Sequence, residues 1–502
     1  MDLFQGIGEG FRVAFQLNNV LFALIGCLAG TLIGVLPGIG PMTGVALLIP
    51  LSYGLDPTSA LIMMAGVYYG AMYGGSTTSI LLNVPGESSS VMTCLDGYPL
   101  AQKGRAGPAL AVAAIGSFWA GTLAVVGLMF VGPWIAKVAL MFGPSEYFAL
   151  MFFALTAVAG FSGEGSAVKS LIAMVFGLML STVGEDLQSG VARFTFGNAE
   201  LLDGIEFLIV ALGLFAVAEV IASMQEEEVV GLEALKKIGR VMPTWQDLKD
   251  SFGAMNRGGL IGFLMGSLPG GGATVSSFLA YDIEKRVSKH PEKFGKGAIE
   301  GVAAPESANN AAAIGALTHL LTLGIPGSGT TAIMLGAFIM FGIRPGPLLF
   351  RDHPAVVWGL IASMYLGNII LLILNLPLVG VFARITLLPK KILLPMILAF
   401  SALGVYTINS SIQDLLIMAA FGAIGYFMRK REFPLPPVVL ALVLGGLMEQ
   451  AMRQAMTISD GNPAVFVTRP ISAALLALGL ISLFFPVIRR LWAARKAAVQ
   501  AG

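Results

Sequence analysis

Charged residues are scarce in this sequence: Asp, Glu, Lys and Arg make up 12% of its 502 residues, against about 25% in soluble domains. So few charges cannot cover a surface that faces water, and hydrophobic residues reach 56%. The formal net charge of +1 is far from the concentrated basic face that nucleic-acid binding requires. We therefore predict an all-α polytopic membrane protein that contacts membrane lipid and no nucleic acid.

Histidine and cysteine, which often bind metals or act in catalysis, are also scarce: the chain has three His and two Cys. The two cysteines, Cys27 and Cys94, follow no spacing pattern and indicate neither a disulfide framework nor a zinc site. The sequence contains no HExxH motif and no Asp-rich motif that would hold a diphosphate. We predict no catalytic residues, no structural metal and no cofactor, and hence a protein that is not an enzyme.

A transmembrane helix needs about 20 apolar residues, and eleven segments of this chain approach that length. They predict about 10–12 transmembrane segments, several of them short. The segments are 20–36, 57–73, 109–131, 147–161, 166–183, 205–222, 356–379, 392–405, 415–427, 438–447 and 471–487.

A polar connector, 224–257, separates a first transmembrane half, 1–223, from a second, 258–490, and a basic tail, 491–502, follows. Basic residues mark cytoplasmic loops, which predicts that the connector, the tail and the Arg429-Lys430-Arg431 loop lie inside. In the second half the loop 285–296 is also basic, whereas the corresponding loop of the first half, 51–57, has no Lys or Arg. The two halves are therefore predicted to be inverted repeats.

Each half begins with an interrupted apolar helix. The run Gly34-Val-Leu-Pro-Gly-Ile-Gly40 recurs as Gly266-Ser-Leu-Pro-Gly-Gly-Gly272, and proline flanked by glycine stops a helix. Backbone broken at membrane depth persists only where protein covers it or where it lines a cavity. The expected helix-break residues here are Pro37, Gly38, Gly40, Pro269, Gly270 and Gly272, and the short apolar arms 258–268 and 272–280 are read as a re-entrant hairpin.

The repeat continues along both halves. The run Asn83-Val-Pro-Gly-Glu-Ser-Ser-Ser90 matches Gly324-Ile-Pro-Gly-Ser-Gly-Thr-Thr331, which adds Pro85, Gly86, Pro326 and Gly327 as breaks. With ten residues inserted before this second match, Ser76-Thr-Thr-Ser79 aligns with Ser307-Ala-Asn-Asn310. Paired breaks in the two halves of a chain are a pointer to a transporter's substrate site.

These polar clusters suit an anion together with a cation. Freed N–H groups at a half-helix start attract an anion, while carbonyl, amide and hydroxyl oxygens suit a hard cation. No Lys or Arg lies inside the clusters, so the anion would be held by dipoles, hydroxyls and the cation. The alternatives are close helix packing for the glycines and helix-carbonyl bonding for Ser and Thr. The expected substrate- or cation-binding residues are Ser76, Thr77, Thr78, Asn83, Ser307, Asn309, Asn310, Ser328, Thr330 and Thr331.

Two ionisable residues are candidates for ion coupling. Glu306 begins the second polar cluster, and ionisable groups inside membranes are costly and usually functional. His319 lies on an apolar run and could relay protons, although a histidine hydrogen-bonded to a neighbouring helix is the simpler reading. Glu87, beside the first Pro-Gly pair, is read as a helix cap.

The long motifs resemble a known family. The Gly-x-Leu-Pro-Gly-x-Gly start, the run from Tyr69 to Glu87 and the run Ala304-Pro-Glu-Ser-Ala-Asn-Asn-Ala311 resemble the large membrane subunit of tripartite tricarboxylate transporters. The resemblance implies a multi-pass permease of the bacterial inner membrane that takes up citrate-like carboxylates. It also implies two partners, a periplasmic solute-binding protein and a small four-span membrane subunit. The driving force would be a sodium ion or proton gradient, and the chain has no phosphate-binding loop.

A weaker resemblance links the paired clusters to the hairpin tips of sodium-coupled dicarboxylate carriers. It implies that Ser76, Thr77, Thr78, Ser307, Asn309 and Asn310 line one pocket, and it implies a homodimer. Three rival readings stay open: a stand-alone secondary carrier, a channel for another small anion, and an intramembrane enzyme.

Overall fold

The computed structural model describes residues 3–36, 40–161, 167–186, 189–225, 241–385 and 390–483. Over these ranges the chain is almost entirely helical, with one antiparallel ribbon that pairs Gly184–Glu185 with Ala192–Arg193. The predicted all-α membrane protein is confirmed. The helix-break residues Pro37 and Gly38, residues 226–240 of the connector and the basic tail lie outside the described residues.

The helices of the first half are α1 (Leu3–Ala14), α2 (Leu17–Val35), α3 (Pro41–Leu48), α4 (Pro57–Leu82), α5 (Val91–Gln102), α6 (Ala106–Ala139), α7 (Pro144–Phe161), α8 (Ala167–Leu180) and α9 (Phe207–Ser223). In this half, one helix break separates α2 from α3 and the other separates α4 from α5. Residues Leu212–Val217 of α9 are π-helical.

The helices of the second half are α10 (Trp245–Gly266), α11 (Gly272–Val287), α12 (Glu300–Leu323), α13 (Gly329–Met340), α14 (Leu349–Asp352), α15 (Pro354–Asn375), α16 (Val379–Ile385), α17 (Lys390–Asn409), α18 (Ile412–Lys430), α19 (Pro436–Ile458), α20 (Val465–Thr468) and α21 (Pro470–Leu483). The second half begins with the same pattern, in which breaks separate α10 from α11 and α12 from α13.

Four of the described helices are long and apolar enough to cross a membrane: α2, α6, α15 and α18. Other apolar helices, such as α8 and α13, are shorter. Helices α4 and α12 are buried along almost their whole length and form the centre of the fold. Neighbouring helices enclose α4 and α12. The Ser, Thr, Asn and Glu side chains of α4 and α12 therefore contact protein rather than lipid.

The hairpin arm of the second half is longer than expected. Helix α10 begins at Trp245 and has 22 residues, or about 33 Å at 1.5 Å per residue, whereas the apolar run 258–268 suggested half that length. The helix begins within the polar connector because Thr244 and Asp247 form a capping box. At the break itself, Gly270 and Gly272 have φ of +80° and +52°, a conformation that favours glycine.

Glycine ladders bring the first two long helices of each half into backbone contact. Helix α2 packs on α4, and α10 packs on α12, so closely that a Cβ on any ladder glycine would come within 3.0 Å of a backbone carbonyl oxygen. The ladder pairs are Gly26 with Met63, Gly30 with Val67, Gly34 with Ala71, Gly258 with Ala304, Gly262 with Ala308 and Gly266 with Ala312. Small residues at every fourth position allow this approach.

The ends of α4 and α12 are built alike. Both are capped by a residue in the left-handed region, Asn83 and Gly324. Each is followed by a capping box, formed by Glu87 with Ser90 and by Ser328 with Thr331. The predicted match between 83–90 and 324–331 is confirmed, and the expected capping role of Glu87 is confirmed with it.

The expected match between Ser76–Ser79 and Ser307–Asn310 is wrong. Cap residues Asn83 and Gly324 differ by 241 positions, and the ladder partners Val67 and Ala308 differ by the same number. On this register Ser76 corresponds to Leu317. The additional residues of the second half therefore precede α12, and most of them lengthen α11, which has 16 residues where α3 has 8.

Candidate functional site

The four helix breaks meet around one cavity of about 770 Å³. Each break contributes a short stretch of wall, so segments from both halves of the chain line a single space. The stretches are 40–43, 85–88, 270–275 and 327–330. A break that lines a cavity is the one environment, other than burial in protein, in which a membrane tolerates unpaired backbone.

Contacts between the breaks exchange partners across the two halves. The Ser88 and Thr274 hydroxyls lie 2.9 Å apart, and at the corresponding place Gly329 lies directly against the Met42 sulfur. Ser88 and Gly329 are equivalent in the repeat, as are Met42 and Thr274. Such an exchange is what a pseudo-two-fold axis between the halves produces, while their opposite orientation in the membrane stays a prediction.

Hydroxyl groups and a helix start form one polar part of the wall. Ser328 caps α13, and its Oγ lies 3.2 Å from the Tyr68 hydroxyl and 3.1 Å from Thr331 Oγ1. Gly329 and Thr330, in the first turn of α13, also line the cavity. The first N–H groups of a helix have no helical acceptor, so this end of the cavity favours a negative group.

The sequence-predicted residues fall into two places. Those that line the cavity are Ser328, Thr330, Gly40, Pro85, Gly86, Gly270, Gly272 and Gly327. Thr331 lies just behind it in the capping box, Pro269 and Pro326 are buried in the turns, and Asn83 caps α4. The remaining polar residues belong to α4 and α12 and lie away from the cavity wall.

A second polar site surrounds Glu306, and we call it the Glu306 cluster: Glu306, Ser76, Thr93, Ser117, Asn309 and Asn310. The Glu306 carboxylate accepts hydrogen bonds from Ser76 Oγ at 2.5 Å, from Asn309 Nδ2 at 3.1 Å and from Thr93 Oγ1. Asn310 Nδ2 donates to Ser117 Oγ at 2.7 Å and to Asn309 Oδ1 at 2.7 Å. The cluster joins α4, α5, α6 and α12 and is wholly buried.

The other candidates of these two helices have individual environments. Ser307 Oγ and His319 Nδ1 are buried and have no hydrogen-bond partner among the described residues. Thr78 Oγ1 donates to the Gly75 carbonyl of its own helix at 3.2 Å, as the helix-carbonyl alternative expects. Thr77 lines a small void of about 10 Å³ together with Ser76 and Asn375. Within the described ranges, no three His, Cys, Asp or Glu side chains lie together as a metal centre would require.

The contributors to the cavity wall that sequence reasoning missed include Tyr68, Glu219 and Arg429. Glu219 is an acid in the interior of the apolar segment 205–222, whereas Glu206 lies at its start, and an interior acid is a signal that sequence inspection could have used. Arg429 was assigned to a cytoplasmic loop by its neighbouring charges. Tyr68 belongs to an apolar stretch, and nothing local distinguishes it from a packing residue.

Comparison with known proteins gives consistent findings. The model of the tripartite tricarboxylate transporter TctA family matches residues 20–440. A protein of Agrobacterium vitis, described as an uncharacterized 52.8 kDa protein in the TAR-I ttuC' 3' region, is 47% identical over 96% of this chain and 95% of its own length. A second protein of that organism, described as an uncharacterized protein in the TAR-II ttuC' 3' region, is 47% identical over 45% of this chain and 94% of its own length. No solved structure matches the chain.

Proposed function

The chain belongs to the tripartite tricarboxylate transporter TctA family, and from this premise we propose that it takes up citrate-like di- and tricarboxylates as the large permease subunit. In this proposal a periplasmic solute-binding protein delivers the carboxylate, and a small four-span subunit completes the complex in the bacterial inner membrane. A sodium or proton gradient drives uptake.

One observation carries the proposal: four helix breaks from two matched halves converge on a single cavity. A substrate held there would contact both halves at once. Relative movement of the halves could then expose it to one side of the membrane and afterwards to the other. A channel is usually lined by identical subunits, and the matched half-sites within one chain favour a carrier.

The Glu306 cluster is the candidate coupling site. Among the described residues, the groups that donate hydrogen bonds to the buried Glu306 carboxylate are all neutral. They supply no positive charge, so a proton or a sodium ion would balance the carboxylate. Thr93, one of its donors, lies five residues after Ser88 of the cavity wall, or roughly 8 Å along a helix. A change of charge at Glu306 is therefore close enough to influence the break before α5.

The test is uptake in proteoliposomes that contain this chain and its small subunit, with purified solute-binding protein outside. We expect saturable citrate uptake that requires the binding protein and a sodium or proton gradient. Uptake of citrate without the binding protein would favour a stand-alone carrier. Transport that persists after both gradients are removed and rises linearly with concentration would indicate a channel and contradict the proposal.

A further inference from the structure

An ion pair lies in the cavity wall. Arg429, at the end of α18, contacts Glu219 of α9 through its Nη1. Of the described residues that line the cavity, Glu87, Glu219 and Arg429 are the charged ones, so Arg429 is the cation among them. The polar clusters of the repeats themselves hold no Lys or Arg, and this positive group comes from a helix outside both clusters.

The fold builds this pair through close helix contact. Helix α9 crosses α18 at Gly213, Gly422 and Gly425, where an added Cβ would meet atoms of the other helix at 3.0 Å or less. The π-helical turn Leu212–Val217 lies at this crossing and ends two residues before Glu219. π-Helical turns occur frequently at functional sites. The side chains of Glu219 and Arg429 are consequently set by rigid backbone rather than by a loop.

The two partners differ in access. The Glu219 side chain is 7% exposed, and that of Arg429 is 41% exposed. Ser223 Oγ donates to Glu219 at 3.2 Å, which stabilises its charged form within the wall. A planar guanidinium carries five N–H donors and binds a carboxylate with two of them side by side. One reachable guanidinium with one sealed carboxylate is an arrangement in which an incoming carboxylate can take over donors of the arginine.

We propose that Arg429 binds a carboxylate group of the transported substrate, and that Glu219 is the counterion that holds Arg429 when the cavity is empty. This inference deepens the proposed function and names a specificity residue for it. The cavity then offers two sites for negative groups, Arg429 and the start of α13 at Ser328. The fitting substrate class is an anion with at least two carboxylates, one for each site.

The experiment measures binding directly on purified full-length protein, without partners or a gradient. Citrate and succinate are titrated, and the midpoint of thermal unfolding reports their affinity. We expect Arg429→Ala to weaken citrate binding about 10- to 100-fold, the range for a hydrogen bond to a charged group. Arg429→Lys is expected to weaken it less, because lysine keeps the charge and loses the paired donors.

Two further variants separate binding from folding. Glu219→Gln removes the competing charge and is expected to bind citrate at least as tightly as the wild type. The double variant Glu219→Gln/Arg429→Ala leaves no buried charge unpaired, so it is expected to fold and still to bind weakly. Arg431→Ala is the matched control: it removes an exposed arginine two residues away and is expected to bind normally.

Undiminished citrate binding by Arg429→Ala and by the double variant would overturn the inference, and so would equal weakening by Arg431→Ala. Absence of citrate and succinate binding by the wild type would overturn it too. Arg429-dependent binding in a protein that fails to transport would support the inference and refute the proposed function alone. The two failures are thus distinguishable.

Discussion

Substitution of Gly30 by alanine tests whether the glycine ladders hold α2 and α4 together. A Cβ at this position would lie 2.5 Å from the Val67 carbonyl oxygen, 2.7 Å from Val67 Cα and 2.9 Å from Gly70 Cα. All three neighbours are backbone atoms, so no side chain can rotate away. Real Cβ contacts are essentially never shorter than 3.0 Å, and the helices must separate by at least about 0.5 Å, the difference between 3.0 and 2.5 Å. Overpacking of this kind costs about 1–3 kcal/mol.

The assay is thermal unfolding of the purified protein, with Gly446→Ala as the matched control. Gly446 lies on α19, and an added Cβ there meets no atom within 4 Å, so alanine is expected to be neutral or to stabilise the helix by up to about 1 kcal/mol. We expect Gly30→Ala to unfold several degrees lower than both the wild type and this control. Equal melting of the two variants would show that the ladder contacts can relax and that close backbone packing is not needed here.

Three further outcomes are expected. Glu306→Gln should keep the protein in the membrane and remove the dependence of citrate uptake on the sodium or proton gradient, because an amide cannot lose a proton or bind a cation as a carboxylate does. Glu300→Gln on the same helix is the control. Unchanged coupling in Glu306→Gln would exclude this site. Ser328→Ala should destabilise α13 by about 0.5–2 kcal/mol through loss of its cap and raise the half-saturation concentration of citrate, whereas an unaltered concentration would place the substrate elsewhere. Pro269→Ala should extend α10 through its break and lower the maximal uptake rate at unchanged protein level, and a normal rate would show that the break is not needed.

Much of the fold could be predicted because helix breaks and hydropathy are local. Adjacent proline and glycine weaken a helix through backbone effects confined to their own turn, and the Pro-Gly pairs at Pro85 and Pro326 are followed by matching caps at Glu87 and Ser328. The register of the repeat was harder. The similar runs Ser76–Ser79 and Ser307–Asn310 suggested an equivalence that the helix packing does not support, because similarity of composition does not reveal where the chain has gained residues.

The candidate site was predicted in part. Ser328 and Thr330 line the cavity as expected. Asn309 and Asn310 instead form hydrogen bonds with one another and with other members of the Glu306 cluster. Ser76 joins the same cluster from the other half of the chain. A polar residue on a buried helix has to meet a partner, but its sequence position does not say which helix supplies that partner.

The sequence by itself determined that this chain spans a membrane as helices, that two matched halves carry paired breaks, and that it resembles a permease of carboxylates. Its scarcity of charge and its Pro-Gly pairs act within a few residues, and no distant contact is needed to read them. Only the tertiary structure decided that the breaks share one cavity, that the buried polar side chains gather around Glu306, and that Arg429 faces the cavity with Glu219. These depend on how helices cross, and the crossings follow from backbone contacts at glycines whose partners lie from tens to hundreds of residues away along the chain.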